Sequence, residues 1–161
     1  MRKLWLFILL YGIFILSGLL RIYNVNWDGG HHMHPDERAI TLSVAELSFP
    51  SSFSEFLSPE GPWNPKFFAY GSLPFYLLYV AGHLMSVINP LFAEYASINL
   101  VGRYLSAFFD LGTVLFVFLI ARRFLTIRFA LLAAFFYGIS VLPIQLSHFY
   151  SVDTSLTFFI T

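Results

Sequence analysis

The sequence contains no cysteine and few charged residues. Only 11% of its 161 residues are Asp, Glu, Lys or Arg, whereas a soluble domain has about 25%. The absence of cysteine excludes disulfide bonds and thiolate metal sites. The 9 basic and 9 acidic residues give a formal net charge of zero, so no basic surface indicates a nucleic-acid partner.

Apolar residues take the place of the missing charges. The sequence is 58% hydrophobic and 20% aromatic, and its mean hydropathy is +0.73. A bilayer of about 30 Å is crossed by a helix of about 20 apolar residues. The composition therefore predicts an all-α integral membrane protein, a multi-span helical bundle in contact with membrane lipids.

Apolar runs predict spans at residues 4–22, 98–120 and 129–146, and a fourth span that begins at residue 154. No small-x-small cleavage site follows the first run, which favours an uncleaved span over a signal peptide. The run after Asp153 is too short to cross a bilayer. We therefore expect residues 1–161 to be the N-terminal part of a larger transmembrane domain, truncated in its fourth span.

Residues 24–97 are predicted to form one long outer loop. A short helix is expected from Asp36 to Leu47, because Pro35 suits the first turn of a helix. Within residues 67–88, polar side chains recur at helical spacing opposite an apolar face; the polar stripe is Tyr76, Tyr79, His83 and Ser86. This pattern favours a helix that lies in the membrane interface, although a crossing helix is an alternative.

Basic residues give the orientation. Arg2 and Lys3 precede the first span, and three arginines (122, 123 and 128) surround the loop between the second and third spans. The positive-inside rule puts both regions in the cytoplasm if residues 67–88 do not cross. The chain is then a multi-pass protein of the plasma or inner membrane, with a cytoplasmic N-terminus and an extracytoplasmic loop 24–97. Arg21 and Arg103 lie near the outer surface in this topology.

The densest group of ionisable residues is His31-His32-Met33-His34-Pro35-Asp36-Glu37-Arg38. Adjacent residues of a helix or turn point in different directions, so Asp36 and Glu37 cannot share one role. One carboxylate could act as a general base while the other orders the loop. The alternatives are a solvated acidic loop and a divalent metal site of His32, His34 and Asp36, for which His-x-His alone is a weak signal.

Three further residues are candidates. Asp153 begins the fourth span and is either a second acid of the site or a helix N-cap. Arg103 could pair with Glu37, bind a lipid phosphate, or be an interface anchor whose charged end reaches water. Asp110 lies in the middle of the second span, where a carboxylate is a functional candidate and needs a partner.

The order of these motifs resembles a known family. The motifs are His34-Pro35-Asp36-Glu37, Tyr70-Gly71-Ser72-Leu73-Pro74-Phe75-Tyr76-Leu77, Gly102-Arg103-Tyr104-Leu105-Ser106-Ala107 and Gln145-Leu146-Ser147-His148-Phe149-Tyr150-Ser151-Val152-Asp153. Together they resemble the N-terminal portion of polyprenyl-phosphate-dependent glycosyltransferases of the GT-C fold. Members of that family include protein O-mannosyltransferases, aminoarabinose transferases and bacterial phospholipid-carrier-dependent glycosyltransferases.

The resemblance implies an inverting transfer of a sugar from a polyprenyl-phosphate carrier to a hydroxyl of a protein, glycan or lipid acceptor. It implies catalytic roles for Asp36 as general base, for Glu37 in shaping the site and for Asp153 as second acid. Arg103 is a candidate for stabilising the leaving phosphate, and His34, His148 and Tyr70 are further candidate substrate contacts, although the family offers no role for the histidine-rich run before Pro35. No cofactor is implied with certainty, and a divalent metal stays open. A second hypothesis is a transporter or lipid flippase that uses Asp110 as an intramembrane relay.

Overall fold

The structure is a computed structural model that describes residues 2–161 and the side chains of residues 4–161. The described residues form helices and no strand, which confirms the all-α prediction. The helices are α1 (Arg2–Ile22), α2 (Pro35–Ala45), α3 (Phe53–Leu57), α4 (Leu73–Met85), α5 (Tyr95–Phe124), α6 (Ile127–Gly138), α7 (Val141–Leu146) and α8 (Val152–Ile160), with one 3₁₀ turn at Pro90–Ala93.

The chain divides into two compact units. The span unit comprises residues 2–25, Arg103–Phe149 and Asp153–Thr161, and the loop unit comprises Asn26–Gly102 and Tyr150–Val152. The segment Tyr150–Val152 therefore belongs to the loop unit although it lies far from the other residues of that unit in sequence.

Two helices are long and apolar enough to cross a membrane, judged by length and composition. They are Leu4–Ile22 within α1 and Tyr95–Phe124, which is α5. The predicted spans 4–22 and 98–120 are thus helices, and the second is longer than expected. Helix α5 continues because residues 121–124 bring no proline or glycine that would end it.

Polar side chains of α1 and α5 lie on the buried sides of these helices, the reverse of their usual placement on a helix of a soluble protein. On α1, Phe7 and Tyr11 are exposed while Ser17 and Arg21 are buried. On α5, the exposed side includes Phe108, and the buried side carries a polar stripe with spacings of four and three residues: Asn99, Arg103, Ser106, Asp110 and Thr113. Such a helix presents apolar atoms to its surroundings, as a lipid-facing helix does.

The prediction of one continuous span over residues 129–146 is wrong. Helix α6 ends at Gly138, and α7 begins only at Val141. Pro143 has no backbone N–H, and in an unbroken helix its ring would collide with the carbonyl of Ile139. Gly138 and Pro143 therefore indicate the break between the two helices. The hydropathy of the run alone does not indicate it.

The span unit packs α1 against α6 through small residues and a compact apolar cluster. A side chain at Gly138 would place its Cβ only 2.2 Å from the Ser17 hydroxyl, so the backbones of the two helices approach closely there. The cluster around this contact consists of Val114, Phe118, Ala130, Leu131 and Ala134. Close backbone approach at small residues is typical of helices that pack in membranes.

In the loop unit, α2 starts at Pro35 as its proline predicts. Helix α4 is shorter than the predicted 67–88, because Gly71 has a positive φ of 69° and Pro74 then lies in the first turn of the helix. The predicted stripe of polar residues is only partly exposed, since His83 is exposed and Tyr76 and Ser86 are half-buried. Tyr79 is buried, with its ring edge-on to Trp63 and stacked on His83.

Candidate functional site

Asp36 lies in the first turn of α2 and is half-buried. The hydroxyl of Tyr70 donates a hydrogen bond of 2.7 Å to its Oδ1 atom. The N-terminal end of a helix favours a negative charge, and the tyrosine fixes the orientation of the carboxylate. The structure therefore brings together two of the residues that the sequence selected, from segments 34 positions apart.

Glu37 has different surroundings from its neighbour. It is fully buried, and its Oε1 atom accepts a hydrogen bond of 2.9 Å from the backbone N–H of Tyr150. The Tyr150 hydroxyl in turn donates to the carbonyl of Pro74 at 2.8 Å, and burial raises the pKa of this tyrosine. The hydrogen bond to Glu37 thus holds the segment before α8 against the other residues of the loop unit. This is the role expected for the carboxylate that orders the site.

Besides Asp36 and Glu37, the carboxylate of Asp28 also shapes this region. No sequence motif had selected Asp28 as a site residue. Its Oδ1 accepts from the N–H of Gly30 and its Oδ2 from the N–H of Met33, both at 3.1 Å. Gly29 and Gly30 have positive φ angles of 63° and 83°, which glycine adopts without strain. The Asp-Gly-Gly sequence was the available signal for this turn, which leads into the histidine-rich segment.

His32 is buried and packs as a structural side chain. Its ring stacks on Tyr95 with centroids 4.3 Å apart, and its Nδ1 lies 3.0 Å from the Thr41 hydroxyl. That hydroxyl donates to the carbonyl of Glu37 at 2.9 Å, so Nδ1 of His32 carries the proton between the two side chains. His34 is half-buried and is the N-cap residue of α2.

The predicted metal ligands do not form a cluster. Among residues 4–161, no group of three His, Cys, Asp or Glu side chains is arranged to hold a metal ion. A metal site formed by His32, His34 and Asp36 therefore stays an untested prediction.

Arg103 and His148 belong to the span unit, and both bind backbone carbonyls there. Arg103 is fully buried and its Nη1 donates to Val25 at 2.8 Å, so its interpretation as an interface anchor reaching water is wrong. The two ring nitrogens of His148 lie 2.7 Å from the carbonyl of Ile144 and 2.8 Å from that of Tyr23. His148 thus lies between two backbone carbonyls, one in α7 and one directly after α1.

Asp153 is exposed in the first turn of α8. The helix begins at Val152, one residue before it, so the interpretation of Asp153 as the N-cap residue is wrong. Its carboxylate still lies at the positive end of the helix dipole.

Asp110 has the partner that a buried carboxylate requires, and that partner is Arg21 of α1. The two side chains form a buried ion pair, and the Tyr137 hydroxyl donates to Asp110 Oδ1 at 2.7 Å. Arg21 Nη1 also donates to the carbonyls of Ser17 and Gly138, each at 2.9 Å. Arg21 is therefore not a surface charge, and no local pattern in the sequence indicated this pairing.

A cavity of about 370 Å³ lies in the loop unit. Its wall combines aromatic and aliphatic side chains with hydroxyl and amide groups, and the lining residues are Phe56, Leu57, Ser58, Pro59, Trp63, Asn64, Phe68, Ser72 and Tyr76. Phe68 and Ser72 stand two residues either side of Tyr70, the partner of Asp36. Cavities of this size and lining are typical of binding sites for small molecules or for parts of larger ligands.

No protein-family model, curated protein or solved structure matches this chain. The family resemblance drawn from the motifs therefore stays a prediction, and function has to be argued from the arrangement of the side chains.

Proposed function

We propose that this chain belongs to a membrane-embedded glycosyltransferase that moves a sugar from a polyprenyl-phosphate carrier to an acceptor hydroxyl, with inversion at the anomeric carbon. In this proposal α1 and α5 cross the membrane, and the loop unit lies on the extracytoplasmic side. Support for the embedding comes from the reversed burial of these two helices, whose exposed faces are apolar and whose buried faces carry Arg21 and Asp110.

One observation carries the proposed chemistry. Asp36 is a half-buried carboxylate at a helix start, held through Oδ1 by the Tyr70 hydroxyl, while the adjacent Glu37 is buried and bound to the Tyr150 amide. The pair thus provides one carboxylate that can meet a substrate and one that holds the structure around it. This division of roles suits a general base on a rigid support.

The reaction follows from that geometry. Asp36 takes the proton of the acceptor hydroxyl while the hydroxyl oxygen forms a bond to the anomeric carbon. The bond between that carbon and the carrier phosphate oxygen breaks, and the polyprenyl phosphate leaves with its electron pair. A phosphate is a stable anion, so no acid has to protonate it, although cationic groups help to stabilise its charge.

Other residues take supporting roles in this proposal. Tyr70 orients Asp36, and the cavity whose wall includes Phe68 and Ser72, each two residues from Tyr70 in sequence, is the candidate space for the acceptor. Asp153, exposed at the start of α8, is the candidate second acid. The burial of Arg103 and its bond to Val25 favour a positioning role for this residue over direct contact with the carrier phosphate.

The transporter or flippase hypothesis finds less support. A relay carboxylate has to exchange its proton or its partner during each cycle. Asp110 is instead enclosed by Arg21 and Tyr137, and such an arrangement suits a fixed link between helices.

Substitution of Asp36 tests the proposal. We expect Asp36→Asn to lower sugar transfer in membranes by about 10²- to 10⁴-fold, because the amide cannot accept the acceptor proton, while the protein level is unchanged. The matched control is Glu46→Gln, which makes the same chemical change at an exposed position directly after α2. Full turnover by Asp36→Asn would show that this carboxylate is not the base.

A further inference from the structure

Two neighbouring grooves of the span unit are apolar except for one arginine in the wall of each. The α5 groove, of about 560 Å³, has Arg122 in its wall together with apolar side chains of α1 and α5, such as Leu6 and Phe118. The α6 groove, of about 500 Å³, has Arg128 together with apolar side chains of α1 and α6, such as Leu6 and Leu131. Because Leu6 lines both, the two grooves lie side by side along the first half of α1.

The arginines at this end of the span unit are not neutralised by an acid. Arg122, Arg123 and Arg128 are exposed, and none of the ion pairs described among residues 4–161 includes them. Residues 111–152 contain neither Asp nor Glu. Their positive charge is therefore open to an anion that the chain itself does not supply.

The start of α6 adds hydrogen-bond donors to the same end. The first N–H groups of a helix have no partner within it, and the side chain of the N-cap residue Thr126 makes no capping hydrogen bond. Arg128 lies in the first turn, where the helix dipole disfavours a cation and favours an anion. A phosphate bound here would accept from the free N–H groups and offset the charge of Arg128.

We propose that the α5 and α6 grooves hold the acyl chains of an anionic phospholipid, whose phosphate binds to Arg122, Arg128 and the N-terminus of α6. This inference rests on the membrane embedding proposed above. The positive-inside rule puts this end of the span unit at the cytoplasmic surface, where basic residues beside membrane helices attract anionic lipid headgroups.

Charge, and not apolar character alone, selects this ligand. A larger groove of about 720 Å³, lined by residues such as Phe14, Gly18 and Leu111, has no charged side chain in its wall and offers a headgroup no partner. A free phosphate ion would meet the arginines and leave the apolar walls uncovered. A zwitterionic lipid would cover the walls, but its own ammonium group cancels the charge of its phosphate. An anionic phospholipid matches both parts of the site.

Native mass spectrometry of the chain in detergent micelles tests the site. Phosphatidylglycerol and phosphatidylcholine with identical acyl chains are added in turn, and we expect phosphatidylglycerol to bind at least about tenfold more tightly. Arg122→Gln and Arg128→Gln should each weaken phosphatidylglycerol binding about fivefold, as about 1 kcal/mol for one basic residue near an anionic surface implies. The matched control is Arg38→Gln, the same change at an exposed position of α2, which should leave both affinities unchanged.

Retention of the protein in membranes after alkaline carbonate extraction measures the embedding separately. A retained protein that binds the two lipids equally, or keeps its preference after both substitutions, would overturn the lipid site and leave the embedding intact. Release by carbonate would contradict the embedding and this inference together. Displacement of phosphatidylglycerol by an equal concentration of free glycerol phosphate would show that the arginines bind the anion alone, and it would also overturn the lipid site.

Discussion

The two units of this chain use the same pair of side chains in different ways. In the span unit Tyr137 donates to Asp110, and in the loop unit Tyr70 donates to Asp36, each through a hydrogen bond of 2.7 Å to Oδ1. Asp110 is buried and also paired with Arg21, whereas Asp36 is half-buried and Tyr70 is the side-chain partner that the structure describes for it.

This comparison shows that the hydrogen bond alone does not decide what a carboxylate does. Where burial and a cation are added, the carboxylate becomes a link between helices, because neither charge can leave its partner without a large desolvation penalty. Where solvent is within reach and the described side-chain partner is a neutral hydroxyl, a carboxylate can exchange a proton with a substrate.

The largest expected effect on stability comes from breaking the ion pair between Arg21 and Asp110. Asp110→Asn leaves the Arg21 guanidinium buried without a counter-charge, and we expect a loss of about 3–5 kcal/mol in the free energy of unfolding. Thermal or denaturant unfolding in detergent micelles measures it. The double variant Arg21→Leu with Asp110→Leu should recover most of that loss, because no charge then remains buried. A single variant as stable as the unmodified protein would show that the pair is not the link inferred here.

Removing one hydroxyl from each pair sharpens the comparison. Tyr137→Phe should cost about 1–3 kcal/mol, since it takes a donor from a buried acceptor, and Tyr70→Phe should cost about 0.5–1 kcal/mol, since solvent can replace the donor at Asp36. The order should reverse in a transfer assay, where Tyr70→Phe lowers the rate per folded protein and Tyr137→Phe does not. Equal stability losses would mean that the two carboxylates are equally enclosed.

The smallest expected effect concerns Glu55, whose exposed carboxylate contrasts with those of Asp36 and Asp110. Hydrogen bonds from the side chain and backbone of Ser51 lower the pKa of Glu55 below 4.5. A carboxylate with a lowered pKa stabilises the fold at pH values above its unfolded value, and that contribution is lost as the pH falls through the folded value.

We therefore expect the protection factor of the Ser51 amide, which is the intrinsic exchange rate at each pH divided by the observed rate, to fall only in acid, below the ordinary pKa of glutamate of about 4.3. Hydrogen exchange followed by NMR or mass spectrometry measures this, and Glu55→Gln serves as the control without a titrating group. Acid sensitivity that persists in Glu55→Gln would assign it to another carboxylate.

Much of the helical framework could be predicted from local pattern. The apolar runs predicted α1 and most of α5, and Pro35 marked the start of α2. The prediction failed where hydropathy outweighed backbone chemistry: one run covering residues 129–146 is divided by Gly138 and Pro143. Helix α3 was also missed, although Ser52 and Glu55 three residues later are a capping signal.

The candidate site could be predicted only in part from the sequence. The acidic pair and Tyr70 could be selected as site residues, but nothing local joins Tyr70 to Asp36 or Glu37 to the Tyr150 amide. Arg21 and Arg103 were expected near the outer surface because each lies near the end of an apolar run. Both side chains are buried. An arginine near the end of an apolar run has the same local pattern whether it faces lipid headgroups or another helix.

The sequence by itself determined that this chain is helical, that two of its helices are apolar along most of their length, and that its acids gather in a loop. Only the tertiary structure decided which acid has which partner. Arg21 and Asp110 are 89 positions apart, and Glu37 and Tyr150 are 113 apart. Such contacts depend on how helices pack, and packing is set by the fit of whole surfaces, whereas the repeating pattern along one segment determines only which of its faces is apolar.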